Sequence, residues 1–136
     1  MATLQGIEEA LRPLALREAD FAAGDAVVAQ IAKLRSAIDA TDARDEPWLI
    51  SWLSDEHYKG AVLYAAAKTN WKHEQAGRGS RADRQIRNQV VLRFNRWVEQ
   101  LRARLGEYRS GSRSAAAVAA WRAEIARFKE DPVRNI

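Results

Sequence analysis

Apolar residues recur along this chain at spacings of three and four, and no stretch alternates strictly between apolar and polar positions as a half-buried strand does. Leu4, Ile7 and Leu11 predict a first helix with Thr3 as its N-cap. Pro13 ends or kinks it, having no N–H to donate and crowding the preceding turn. A second apolar stretch, Leu14, Leu16 and Phe21, stops near Gly24. Asp25 then suits an N-cap, and Val27, Val28, Ile31, Leu34 and Ile38 predict an amphipathic helix with Arg35 on its polar edge.

The polar run 39–47 is a linker, and its Pro47 suits the first position of a new helix, with Asp45 and Glu46 near the positive end. Trp48 and Leu49 recur as Trp52 and Leu53, and Ser54 offers a fresh N-cap, so PWLISWL reads as a short helix of its own. The following stretch sets Tyr58, Ala61, Val62, Ala65 and Thr69 on one side, with Gly60 as a local weakness. AGRGS, residues 76–80, is the clearest break, and Ser80 caps the strongest helix of the chain. In that helix Ile86, Val90, Phe94, Trp97, Leu101, Leu105 and Tyr108 keep up spacings of three and four. They form a seam close to a coiled-coil repeat. A helix over 81–109 would be about 43 Å long at about 1.5 Å per residue. A last helix begins near Ser114, turns Val118, Trp121, Ile125 and Phe128 inward, and ends before Pro132. The expected fold is all-α: a single domain over 1–136, an antiparallel bundle of five or six helices with one long basic helix at about 81–109 as its spine. The five tryptophans fall mostly at seam positions, where they would pack the core with the indole N–H satisfied near an edge.

At 136 residues the chain can build such a core without metal or disulfide staples, and it has no cysteine. Thiolate zinc sites and cysteine nucleophiles are therefore excluded. The first residues lack the basic start and apolar run of a secretory signal, and nothing approaches the about 18 uncharged apolar residues that span a bilayer. A cytoplasmic location, away from membranes, is the expectation. Net charge is +4, but it is unevenly spread. Residues 1–77 hold 8 basic and 12 acidic side chains, and residues 78–113 hold 10 and 3, all ten basic ones arginine. Such a division suits a polyanion partner, or two halves that neutralise each other within the fold or between subunits.

Catalytic signals are absent. His57 and His73 both sit beside acidic residues, but on one helix they would stand about 24 Å apart, too far to share a metal. No metalloprotease, paired-carboxylate or phosphate-loop motif is present. The expectation is a protein that is not an enzyme and holds no metal or cofactor.

At about 100° per residue the long helix turns Arg81, Arg84, Gln85, Asn88, Asn95, Arg96 and Arg102 away from its seam, with Arg87 and Arg93 flanking it. Arginine, asparagine and glutamine can contact phosphates and base edges. Glu99 lies in the same stripe and opposes this, and aromatic residues for stacking on unpaired bases are missing. Arg78, Arg81, Arg84, Asn88, Arg96 and Arg102 are the expected nucleic-acid contacts, for DNA or RNA. The 78–84 segment would bind a backbone phosphate at the helix start. The alternative is a protein–protein adaptor, or a self-assembling structural protein, whose basic helix docks on an acidic surface. Trp48 and Trp52 are either core or anchors of such an interface. The long seam and the separated charges also favour a homo-oligomer.

Overall fold

A computed structural model of the chain describes residues 4–21, 26–77 and 81–132. Among them are five α-helices and no strand: α1 (Gln5–Leu11), α2 (Ala26–Asp39), α3 (Pro47–Gln75), α4 (Arg81–Ser110) and α5 (Ala115–Glu130). The expected caps Thr3, Asp25 and Ser80, and the stop at Gly24, lie outside the described residues. The stretch from Leu14 to Phe21 is a loop with one 3-10 turn, and its Leu14, Leu16 and Phe21 are buried.

The centre of the fold is the α3–α4 hairpin. Glu46 pairs with Arg113, Glu56 with Trp97, and Glu74 with Arg87, so numbers rise on one partner as they fall on the other. That is the signature of antiparallel packing. Trp52 stacks on Trp121 at 5.3 Å and Asp55 bonds Lys129 at 2.9 Å, which sets α5 parallel to α3. On the other side, Glu8 meets Arg109, and Asn95 takes both the N–H and the carbonyl of Leu16, at 2.8 and 2.9 Å. The N-terminal segment is thereby latched onto α4.

The termini follow from local chemistry. Pro47 opens α3, and the Ser114 hydroxyl accepts from the Ala117 N–H at 3.0 Å to cap α5. Gly111 closes α4 with a φ of 75°, while the N–H groups of Gly111 and Ser112 return to the carbonyls of Tyr108 and Glu107. This double return requires a left-handed residue, which favours glycine.

Four expectations are corrected. First, α3 runs unbroken through Ser54, so PWLISWL is its first turns and not a separate helix. A serine caps only where the backbone before it leaves the helix, and here Trp52 and Leu53 are both helical and buried. Second, the packed side of α3 carries Trp52, Leu53, Glu56, Gly60, Leu63 and Ala67, whereas Tyr58, Ala65 and Thr69 are exposed. Gly60 is no mere weakness: a Cβ built there would approach the Trp97 ring at 2.6 and 2.8 Å, so glycine makes room for the indole. Third, Val28 is exposed, because the stripe Val27, Ile31, Leu34 and Ile38 alone faces α1 and α3. Fourth, the seam of α4 starts at Arg87 and not Ile86. Arg87 is 4% exposed and Ile86 49%. Ile86 lies about 70° from the middle of the buried arc and Arg87 about 30°, and Glu74 of α3 waits at that level with a carboxylate.

Candidate nucleic-acid interface

The phase of α4 divides its arginines into two sets. Arg87 and Arg104 turn inward and are held by Glu74 and Glu124, respectively. Arg109 reaches Glu8 at 3.1 Å, just past the last seam residue. The outward set is the one expected from the sequence. Arg81, Arg84, Asn88, Arg96 and Arg102 are all exposed, while Arg78 lies outside the described residues. Arg84 is claimed in part by Glu74, whose Oε1 stands 3.3 Å from its Nε. Glu74 thus answers both Arg84 and Arg87 and brings a carboxylate close to the start of α4. Arg81, Arg96 and Arg102 have no carboxylate within ion-pair distance among the described residues. Asn95, expected on the outward face, is half-buried, because its amide bonds Leu16.

The outward set is not one continuous stripe. Arg96 and Arg102 stand about 120° apart around the helix, with Glu99 between them. Each borders its own cleft. Towards α1, a cleft of about 490 Å³ brings Arg12, Arg102 and Arg109 together with Glu8 and Glu99. Towards α5, a cleft of about 240 Å³ is lined by Lys59, Arg93, Arg96, Gln100 and Glu124 over Trp97 and Leu63. Arg93, expected only to flank the seam, joins Arg96 there.

Beneath the second cleft lies a polar network that the sequence pattern did not single out. Glu56 is 3% exposed and accepts the Trp97 indole N–H at 2.7 Å. Arg104 approaches its other oxygen at 3.8 Å, bonds Glu124 at 2.8 Å and lies over the Trp121 ring. Burial pushes the Glu56 carboxyl above the usual glutamate range, against the opposing pulls of the Trp97 hydrogen bond, Lys59 and Arg104. The sequence signal was available. Glu56 falls four residues after Trp52 and four before Gly60, so a carboxylate occupies a packing position.

The tryptophan pair takes two places. Trp52 is core, stacked on Trp121, and its indole Nε1 is buried with no acceptor among the described residues. The expectation of a satisfied indole therefore holds for Trp97 and not for Trp52. Trp48 is half-buried, 6.1 Å from the Tyr108 ring, and lines a cleft between the starts of α3 and α5.

Both histidines lie on α3, as the two-on-one-helix reading required. The His57 Nε2 faces the Ile31 carbonyl at 3.2 Å, and burial lowers its pKa below the usual range. His73 is exposed near the end of the helix. Among the described residues no group of three His, Asp or Glu side chains is placed to hold a metal, and no helix is long and apolar enough to cross a membrane. No family model, curated protein or solved structure matches the chain.

Proposed function

We propose that this is a non-enzymatic, cytoplasmic nucleic-acid-binding protein, a subunit of a nucleoprotein assembly, that engages backbone phosphates through the outward arginines of α4. One observation carries the reading. Arg87, Arg104 and Arg109 of α4 are matched by carboxylates, while Arg81, Arg96 and Arg102 face solvent unmatched among the described residues. With Arg93, α4 thus carries four exposed arginines without a carboxylate at ion-pair distance among the described residues, whereas Arg12, Lys33, Lys72 and Arg122 stand singly on or beside the other helices. Arginine forks suit phosphate oxygens, and backbone contacts of this kind position a protein without reading sequence. Asn88 and Gln85 lie exposed beside them as neutral donors and acceptors.

The test is binding to duplex and single-stranded oligonucleotides by fluorescence anisotropy as salt is raised from about 50 to about 200 mM. Counterion release requires a loss of affinity with a slope of about −0.9 per neutralised phosphate on duplex. Absence of binding to DNA and RNA at the low-salt end would remove the reading.

A second reading, a protein–protein adaptor or self-assembling protein, draws on the apolar residues exposed on the same helix. Leu92 is 63% exposed and Ile86 is half-exposed. A phosphate backbone has no use for them, whereas an acidic partner with an apolar centre, or a second copy of this chain, does. Light scattering across protein concentration, at low and high salt, tests its self-assembling form, which requires an assembly that forms without nucleic acid.

A further inference from the structure

We propose that the cleft between α4 and α5 is a phosphate site, built to take one phosphate group against Arg93, Arg96 and Lys59; this rests on the polyanion reading of α4 and names where on that helix a phosphate is held. Both clefts along α4 contain arginine, but their charge balance differs. In the α1 cleft Arg109 is already bonded to Glu8, and Glu99 adds a second carboxylate beside Arg102. In the α5 cleft three cations face a single carboxylate, Glu124. That carboxylate is occupied: its Oε2 accepts from Arg104 at 2.8 Å, leaving Oε1 a loose 3.9 Å from the Lys59 ammonium. Arg93 and Arg96 have no carboxylate within ion-pair distance among the described residues, and Lys59 is only weakly engaged.

The floor is held in place. The Trp97 ring is packed over Gly60 and its N–H is tied to Glu56, and the Lys59 ammonium rests 5.4 Å from the centre of the Phe128 ring. A floor and an ammonium placed before a ligand arrives lose less freedom on binding than mobile groups do. The donors fit the ligand class. Two arginines, a lysine and Gln100 line this one cleft from α3 and α4, with more donors than a carboxylate ligand would use and suited to the several oxygens of a phosphate. The size fits as well. At about 240 Å³ the cleft falls below the roughly 300–1,000 Å³ of pockets that enclose drug-sized molecules. A single phosphate group seats there with whatever it is attached to left outside. The phosphate of a nucleic-acid backbone and a free phosphate ion share this chemistry.

Two titrations test the proposal on the whole chain. In the first, inorganic phosphate is added at constant ionic strength while the Trp97 indole and the arginine Nε–H signals are followed by NMR. Saturable shifts of Trp97, Arg93 and Arg96 are expected. Arg93→Ala with Arg96→Ala should weaken them about tenfold or more, as loss of charge-assisted hydrogen bonds implies. Arg12→Ala with Arg122→Ala, both outside this cleft, should leave them unchanged. In the second, the same pairs of variants meet an oligonucleotide, and the α5-cleft pair should lose more affinity. No saturable shift with phosphate, and oligonucleotide binding indifferent to Arg93 and Arg96, overturns the cleft while leaving the polyanion reading intact. Saturable shifts without any oligonucleotide binding overturn the polyanion reading and leave a site for free phosphate. Equal shifts in wild type and the Arg93/Arg96 variant overturn the cleft whatever the oligonucleotide does.

Discussion

Arg87 and Arg96 are the same residue type on the same helix, nine positions apart, and they do opposite things. Arg87 is buried against Glu74 within the hairpin; Arg96 is exposed at the edge of a cleft, with no carboxylate within ion-pair distance among the described residues. Composition does not separate them. Their phase about the α4 axis does, together with what α3 presents at the same level. The inward arginine is tied to the hairpin register, because Glu74 is the α3 carboxylate that meets it at this level. The outward arginine contributes nothing comparable to the fold and is free for another use. The net charge of a helix is therefore a poor guide to binding until the internally matched charges are removed from it.

The largest expected effect comes from the inward side. Arg87→Ala should destabilise the protein by about 3–5 kcal/mol, because it leaves the Glu74 carboxylate, itself largely buried, without its inner partner. Replacing the pair together, Arg87→Met with Glu74→Leu, should recover most of that loss, since well-packed apolar residues can substitute for a buried ion pair. Urea denaturation of the three proteins measures both. A loss below 1 kcal/mol for Arg87→Ala would mean that inward and outward arginines are equivalent and the contrast is empty.

Truncating Trp97 to alanine should cost a similar amount, about 3–5 kcal/mol, by removing a buried aromatic and leaving a cavity. Gly60→Ala addresses the same contact from the other helix. Helix propensity alone favours this change by up to about 1 kcal/mol. Overpacking against the Trp97 ring opposes it by about 1–3 kcal/mol, so net destabilisation is expected. A gain in melting temperature for Gly60→Ala would show that the indole yields easily.

How much of this was legible in the sequence depends on the distance over which the cause acts. The α4 seam from Val90 to Tyr108, the opening of α3 at Pro47 and the cap at Ser114 are local, and spacing or residue type marks each. The outward position of Arg81, Arg84, Asn88, Arg96 and Arg102 was readable for the same reason. The misplaced features depend on partners far along the chain. Gly60 is explained by Trp97, Arg87 by Glu74, and the burial of Asn95 by the Leu16 backbone 79 residues away. The division of the outward arginines between two clefts likewise depends on where α1 and α5 pack.

A smaller effect is expected at Glu56, read as a change with pH. Its carboxyl is held above the usual range by burial, so its folded pKa exceeds its unfolded one. Between those values the native state keeps a proton that the unfolded chain has released. The stability it contributes is full below the unfolded value and is lost as pH rises through the folded one. Other carboxylates titrate in the same region, so the informative quantity is a difference. The stability of wild type minus that of Glu56→Gln should decrease as pH climbs above the ordinary glutamate range. A flat difference would mean that Lys59 and Arg104 offset the desolvation in full.

The smallest effect on stability completes the contrast. Arg96→Ala and Arg102→Ala each remove an exposed side chain with no ion pair among the described residues, so each should change unfolding free energy by no more than about 0.5 kcal/mol. Arg84→Ala forgoes an ion pair whose arginine is mostly exposed, worth about 0–1 kcal/mol. If these side chains bind phosphate, the same changes should be visible in binding. Each should flatten the salt dependence of nucleic-acid affinity by about one unit and weaken binding alike on every sequence, as a backbone contact does. The two measurements must be made on the same variants, because only their combination separates the roles. Unchanged stability with a flatter salt slope assigns the outward arginines to a ligand. Unchanged stability and an unchanged slope leaves them a solvated face. A stability loss above 1 kcal/mol at Arg96 or Arg102 would show that the fold depends on them after all, and that the outward face of α4 is no freer than the inward one.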